Sequence, residues 1–466
     1  MKKKLSYFIS IPFTKLLVQL IKLSGGGAGT NLPGKIARKL SPDILSYLVK
    51  QTKKEILVVT GTNGKTTTSG FIAGILKADG RKAVHNKRGA NMLTGITTAV
   101  VSKSSCFAEL NSDNCLLEID EAYLVKAVDE FTPDVILVTN LFRDQLDRYG
   151  ELNTTAKKID QAIEKTFASV EKLTNSPKTK LPKLLLNADD PIVSSLGEDF
   201  SENRIFYGFE DIKFVNQDEA INSPQETTNC KCGNRYDYEK IFYGHLGHFY
   251  CTCGNKRPIS QVSAKAIIDV NSSKIIINSQ YHEEFSINIR MPGLYNAYNA
   301  LSAVTMALNI GISAENIKQG IENYSTIFGR AETLCMKGKK VLIQLIKNPI
   351  GATEVLRTVK DDVNGRLLII INDNYADGRD VSWLWDANFE LLSTYNKTVI
   401  VSGVRASDMA VRLKYAGIKS ENIIIIEDIN KALEKSLFDV KKEEKLYVLP
   451  TYTALLNLQK IQRNFL

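Results

Sequence analysis

Histidine is scarce in this sequence: four residues in 466, namely His85, His245, His248 and His282. Two of them fall inside one cysteine-rich segment, and no cysteine sits in a turn resembling a nucleophile elbow. A glutaminase within this chain is thereby excluded, because that chemistry needs a nucleophilic thiol beside an imidazole base. Cysteine is also sparse. Seven residues, four of them in two tight pairs, do not form a disulfide framework in so long a chain; they suit a reducing compartment and a metal site. A membrane span is missing where one would be sought. In MKKKLSYFISIPFTKLLVQLIKL, Lys15 and Lys22 leave uncharged runs of ten and six residues, against the roughly 20 apolar residues a span requires. The stretch shows no convincing cleavage site. Two readings of it stay open: an amphipathic helix packed on the body, or a basic helix resting on anionic lipid. Internal repeats and low-complexity tracts are absent.

What is present is an ordinary globular composition, 44% hydrophobic and 24% charged, with a formal charge of +9 that favours anionic partners. The length suggests about three domains. KEILVVTGTNGKTTTSGFIAGILKADG, from Lys54, reads as strand, glycine loop and helix. CLLEID, PDVILVTNL and KLLLNADDP repeat the pattern of an apolar run ending in polar residues, as in a parallel sheet with its site at the strands' carboxyl ends. KAIIDV, KIIIN and FSINIRM alternate like hairpin strands. A second α/β series (KVLIQLI, RLLIIIND, KTVIVSGV, NIIIIED, KLYVLP) begins near residue 340. The expected organisation is a basic helical segment over 1–50, an ATPase domain over 51–329 and an α/β domain over 330–466.

Gly61-Thr62-Asn63-Gly64-Lys65-Thr66-Thr67 follows a strand and opens a helix, the context of a phosphate loop. Glycines admit backbone N–H groups to phosphate oxygens, and the helix start adds favourable partial charge. Lys65 is placed for the β/γ-phosphates and Thr66 for Mg²⁺. Val59 stands where the general GxxxxGK[ST] pattern has its first glycine, so this is a compact variant. Glu118 and Asp120 end the LLEID strand as Mg²⁺ ligands or, equally, as a cap for the next helix. Within an apparent insertion at about 222–262, Cys230-Lys-Cys232-Gly-Asn and Cys251-Thr-Cys253-Gly-Asn form two near-identical knuckles. Four thiolates suit tetrahedral Zn²⁺ in a closed structural site. Tyr236, Tyr238 and Tyr243 are assigned to packing the hairpin rather than to nucleic acid. Cys106, Cys115 and Cys335 remain as core thiols.

GTNGKTTT, NKRGANMLTGIT, LLEIDEA, NLFRDQLDRYGE, LLNADDP, MPGLYNAYNALSA and FGRAE occur in the order of the Mur ligase ATPase domain, over roughly residues 51–335. The chain thus resembles the Mur ligase family, which includes folylpolyglutamate synthase. The resemblance implies ATP-dependent activation of a carboxylate as an acyl phosphate and attack by an amine. It implies that Lys65 and Thr66 serve phosphates and Mg²⁺, that Glu118 binds Mg²⁺, that Asn296 lies near adenine, and that Arg330 joins the nucleotide set. The fold implied is a Mur-ligase-type P-loop ATPase domain with an inserted four-cysteine zinc ribbon, followed by a Rossmann-like α/β domain.

Departures narrow the reading. With only 50-odd residues before the first strand, the uridine-nucleotide domain of other Mur ligases is expected to be missing; RDH becomes Arg143-Asp144-Gln145, and DYAHNP becomes QLIKNP with Gln344 and Lys347. The family's carbamylated lysine falls near Lys157 or Lys158. Together with the ribbon, these features resemble the amidating branch of the family, whose substrate is the D-glutamate α-carboxylate of lipid II. That branch draws ammonia from a GatD-type glutaminase subunit, which docks on the C-terminal domain. The resemblance implies a heterodimer, ATP, Mg²⁺ and Zn²⁺ as cofactors, no nucleic acid, and a cytoplasmic protein at the inner membrane face. It also implies that an aspartate from the loop INDNYADGRDVSWLWD orients the partner's catalytic histidine. Asp377 is the first choice and Asp380 the second, with Asp373 and Asp386 also in the loop; the plain reading keeps all four as turn formers and caps. Two alternatives stand: a stand-alone amino-acid ligase, and a non-enzymatic ribbon module.

Overall fold

The computed structural model describes residues 4–23, 31–86, 90–143, 152–171, 181–215, 229–269, 272–324, 330–360, 362, 364–462 and 465. Helices α1 (Leu5–Leu23), α2 (Asn31–Leu40) and α3 (Ile44–Val49) precede the first sheet. That sheet holds β1 (Ile56–Thr60), β2 (Ala83–His85), β3 (Asn114–Glu118), β4 (Val135–Val138), β5 (Lys183–Asn187) and β6 (Arg204–Phe214). Strands β7 (Asp237–Tyr243) and β8 (Leu246–Tyr250) form a separate hairpin. The sheet is completed by β9 (Val262–Ile268), β10 (Ser273–Ser279) and β11 (His282–Ile289), in the order β11-β10-β9-β6-β5-β4-β1-β3-β2. Pairing is parallel from β2 to β9 and antiparallel across β9, β10 and β11, as their alternating patterns predict.

Strand β1 is buried along its whole length, because helices cover both faces. Alternate side chains enter different cores. Leu57 and Val59 pack with Phe71, Ile72 and Ile75 of α4 (Lys65–Ala78), and with the helix Leu294–Asn309. Ile56 and Val58 pack with Leu45 and Leu48 of α3 and Ile96 of α5 (Leu93–Lys103). The period of two along the strand sets this division.

A second sheet contains β12 (Arg330–Met336), β13 (Lys339–Gln344), β14 (Gly365–Ile370), β15 (Val399–Ser402), β16 (Ile423–Ile425) and β17 (Lys445–Pro450), ordered β12-β13-β17-β14-β15-β16. All its pairings are parallel except β12 with β13. Residues 325–329, where the boundary between the two sheets is expected, lie outside the described residues, as do Asp144 and Gln145. Cys115 is buried as expected. Cys106 and Cys335 correct the reading of them as core thiols, because both are exposed.

Candidate nucleotide and metal sites

The phosphate loop runs from the end of β1 into α4. Gly61 and Gly64 have φ of 122° and 84°, which L side chains rarely adopt. Space forbids a side chain as well: a Cβ at Gly61 would strike Thr139 Oγ1, and one at Gly64 would strike Asn299 Oδ1. The loop is held from outside itself. Thr62 N–H donates to Asn140 O at 2.8 Å and Asn63 N–H to Asn140 Oδ1 at 2.9 Å. Thr139 Oγ1 donates to Asn63 O at 2.8 Å.

Lys65 folds back over this loop. Its Nζ donates to Gly61 O and Thr62 O, and pairs with Glu121 Oε2 at 2.9 Å. Burial alone would lower its pKa, but the charges of Glu121, Asp120 and Glu118 outweigh that and raise it, so the ammonium form persists. Thr66 Oγ1 donates to Glu118 Oε1 at 2.8 Å, and Ser69 Oγ donates to Glu118 Oε2 at 3.4 Å. The alternatives for the LLEID carboxylates now separate. Glu118 faces the phosphate loop, held by Asn86, which accepts from its N–H and donates to its carbonyl. Asp120 caps α6 (Glu121–Ala127), accepting from Ala122 N–H at 3.1 Å. A buried hydroxyl and carboxylate are hard oxygen donors of the type that holds Mg²⁺.

A cavity of about 690 Å³, counting its open mouth, lies beside the loop and is lined from both sheets' domains. Asn63, Gly64, Thr67 and Asn296 line it from the first domain, and Gln344, Lys347, Asn348 and Glu354 from the second. Asn296 is buried, with Nδ2 donating to Pro292 O at 2.7 Å. The QLIKNP segment touches the phosphate loop directly: Asn348 Nδ2 donates to Asn63 Oδ1 at 3.0 Å and Lys347 Nζ to Thr62 O at 3.4 Å. Arg330 opens β12 opposite Gln344 in register; its side chain is outside the described residues. Lys157 and Lys158 lie on the helix Leu152–Glu171, which packs against α6.

Sequence reasoning missed Glu121 and Asn348. Glu121 stands three positions after Glu118, in the first turn of a helix, where a carboxylate is favoured. Asn348 directly follows Lys347, whose departure from the family pattern drew attention instead.

The four paired cysteines converge, with all their Sγ atoms within 4.8 Å of one another. Both knuckles fold alike. Cys230 N–H donates to Asn234 O and Cys251 N–H to Asn255 O, at 2.8 and 2.7 Å, and Gly233 and Gly254 have φ of 92° and 93°. Two thiols are buried and two exposed at the open end of the β7–β8 hairpin, away from its turn, a donor set that fits one tetrahedral metal ion. Tyr236 packs against Cys230, Cys251 and Phe249, with Tyr238 beside them, and Tyr238 OH donates to His245 O. Tyr243 instead reaches the cavity. Asp189 ties this region to the body, accepting from Arg257 Nε (2.6 Å), Tyr298 OH (2.8 Å) and Phe209 N–H (2.8 Å).

In the acidic loop the aspartates take different positions. Asp377 is buried: Oδ1 accepts from Thr453 N–H at 2.7 Å, while Oδ2 accepts from Thr453 Oγ1 at 2.5 Å and Asn374 N–H at 3.1 Å. Burial pushes its pKa up against those bonds. It therefore fastens the loop to the start of the helix Tyr452–Ile461. Asp373 pairs with Arg405 at 3.0 Å. Asp380 and Asp386 are exposed, and the Ser382 N–H holds Asp380 below the usual carboxylate range. Tyr375, Trp385 and Tyr415 are exposed, and the last two meet edge to face at 5.6 Å.

Comparison with known proteins agrees with this geometry. Residues 59–307 match the Mur ligase middle domain, and residues 345–455 match the MurT ligase C-terminal domain. The lipid II isoglutaminyl synthase (glutamine-hydrolyzing) subunit MurT of Staphylococcus aureus (strain COL) is 36% identical over 444 residues, 94% of each chain. The protein of the same name from Streptococcus pneumoniae is 37% identical over 447 residues, 94% of this chain and 93% of its own. A solved pseudomurein peptide ligase type C from Methanothermus fervidus superposes with a TM-score of 0.66 at 25% identity, covering 91% of this chain and 80% of that one. With one domain model spanning more than half of its length and relatives matching along 94% of it, the chain belongs to the Mur ligase family, in the branch of the MurT subunits.

Proposed function

We propose that this chain is the ATP-dependent synthetase subunit of a lipid II isoglutaminyl synthase. It converts the D-glutamate α-carboxylate of the stem peptide to D-isoglutamine with ammonia from a GatD-type glutaminase. The observation that carries this is similarity along 94% of the chain to relatives bearing that name, joined to a phosphate loop in which Thr66 bonds Glu118 and Lys65 pairs with Glu121.

The Mur ligase family uses ATP and Mg²⁺. Thr66 and Glu118 would hold the ion, which would offset charge on the phosphates. A carboxylate oxygen of the substrate attacks the γ-phosphorus, releasing ADP and leaving an acyl phosphate. Lys65 supplies positive charge to the transferring group. Ammonia then adds to the acyl carbon, a proton is lost, and phosphate leaves with the C–O bond electrons. Lys347 and Asn348 bring the second domain onto the phosphate loop, so closure of the two domains is coupled to the nucleotide. Gln344 and Lys347, in place of the family's acid and histidine, accord with an acceptor that has no carboxylate or side chain to bind. The four cysteines would take Zn²⁺ as a structural ion. In the acidic loop, Asp380 replaces Asp377 as our first choice for the partner's histidine, because both Asp377 oxygens are already engaged within this chain.

The test is co-purification with the glutaminase and mass analysis of lipid II after incubation with ATP and glutamine. Amidated product is expected, with none from Lys65→Ala and no ammonia from glutamine when this chain is alone. Amino-acid-dependent ATP turnover without the partner would instead favour a stand-alone ligase.

A further inference from the structure

Helix α1 leaves a broad apolar face toward solvent. The face it turns toward the body mixes polar and apolar groups: the Tyr7 ring meets Tyr47 at 4.6 Å, and Leu17, Val18 and Ile21 are half-buried. Tyr7 OH donates to Asp43 Oδ2 at 2.9 Å, Ser10 and Ser41 hydroxyls meet at 3.1 Å, and Thr14 Oγ1 donates to Ser10 O at 2.6 Å. Lys15 Nζ donates to Ser104 O at the end of α5. Ile11 adds an apolar contact to this inner face. The outer face is apolar from end to end. Leu5, Ile9, Phe13, Leu16, Leu20 and Leu23 are between 48% and 84% exposed, with Phe8 beside them at 39%. Their spacing of three and four residues draws one continuous stripe along a helix of 19 residues, roughly 28 Å in length.

Such a stripe needs a cover, and its surroundings say which. From Met1 to Pro42 there are eight basic residues and no acidic one. Lys35 and Lys39 of α2, which packs against α1, are exposed, as are Leu32 and Leu40 on the same helix. Asp43, paired with Lys4 at 2.6 Å, and Glu130, paired with Arg38 at 2.6 Å, are acids beside these helices, but the surplus around the stripe is positive. An apolar stripe in that setting is complementary to the boundary between anionic headgroups and acyl chains. A second copy of the chain is disfavoured, because pairing through this face would bring like charges together. Among the described residues no helix is long and apolar enough to cross a membrane, so α1 would lie on the surface rather than span it.

We infer that the outer face of α1 is a membrane-docking surface that seats the protein on an anionic bilayer. This deepens the lipid-linked substrate reading proposed above, but it stands on α1 and its neighbours alone. Docking in the plane of the membrane would leave the rest of the chain in the aqueous phase, within reach of a headgroup-linked peptide.

The test is flotation of the full chain with vesicles free of lipid II, made either of phosphatidylcholine or of phosphatidylcholine mixed with phosphatidylglycerol. The protein is expected to float with the anionic vesicles, less so at high salt. Leu16→Glu/Leu20→Glu should reduce partitioning by about 100-fold while melting at the wild-type temperature, since both side chains are exposed. Lys35→Glu/Lys39→Glu should weaken preference for the anionic vesicles. Amidation of detergent-solubilised lipid II should be unchanged in both variants, so failure of docking and failure of the proposed reaction are read separately. Absence of flotation by the wild-type protein would overturn the inference. So would a concentration-dependent dimer that Leu16→Glu/Leu20→Glu abolishes, which would assign the stripe to a second copy.

Discussion

Replacing Glu121 by Gln tests how the phosphate-loop lysine is stored before nucleotide arrives. The Lys65–Glu121 pair is 2.9 Å long, with side chains only 11% and 9% exposed. Removing one partner of a buried pair costs about 3–5 kcal/mol. Here the cost is reduced, because the amide can still accept from Lys65, and Asp120 and Glu118 still balance its charge. The expected destabilisation without ligand is therefore about 2–3 kcal/mol. With nucleotide the balance changes. Phosphate oxygens compete with Glu121 for the same ammonium, so the variant loses a competitor as well as a support. Binding only to the folded state stabilises it in proportion to affinity. The variant should thus show a larger rise in melting temperature on adding Mg–ADP than the wild type, and a nucleotide Kd below the wild-type value. Thermal shift with and without Mg–ADP, alongside isothermal titration calorimetry, measures both. An equal loss of melting temperature in both states with an unchanged Kd would refute the reasoning, because the ion pair would then persist in the nucleotide complex.

Three other outcomes are expected. Purified protein should carry one zinc ion per chain, and Cys251→Ser should lose it and expose the β7–β8 hairpin to limited proteolysis; a metal-free wild-type protein would contradict the site. Burial lifts the pKa of Glu354 to about 7 from 4.5, so the unfolded chain releases this proton first. Stability should fall as pH rises between those values, by about 3 kcal/mol in all, and Glu354→Gln should remove that slope in denaturant titrations across pH. Asp377→Asn disturbs the Asn374 and Thr453 bonds at a helix start and should cost about 2 kcal/mol. Asp380→Asn should leave unfolding within about 0.5 kcal/mol of wild type, yet lower glutamine hydrolysis by the complex. Unchanged hydrolysis would remove Asp380 from the partner's active site.

Much of the nucleotide site was legible because its information is local. Strand, glycines, lysine and helix occupy consecutive residues, and the positive φ angles at Gly61 and Gly64 require glycine wherever that turn is made. The cysteine knuckles were legible for the same reason: each is a five-residue turn that closes on its own backbone. Ambiguity began where a residue's role depended on a distant neighbour. Glu118 and Asp120 had equal claims on the metal until parallel pairing placed Val59 opposite Glu118, two residues before the phosphate loop. The same limit explains the ordering of Asp377 and Asp380. Burial of Asp377 follows from Thr453, 76 residues further on, and no local pattern reports it.

The sequence by itself thus determined the chemistry available: a phosphate loop, carboxylates at strand ends, four thiols in two matching turns, and no cysteine–histidine nucleophile. Tertiary structure decided which of those groups meet. Strand register delivered Glu118 to Thr66, packing of the second domain brought Lys347 and Asn348 to the loop, and docking of α1 through Tyr7, Ser10, Ile11 and Thr14 left its apolar stripe outward. The physical reason is range. Backbone conformation and ligand spacing are set within a few residues, whereas burial and charge pairing are set by whatever the fold carries in from elsewhere in the chain.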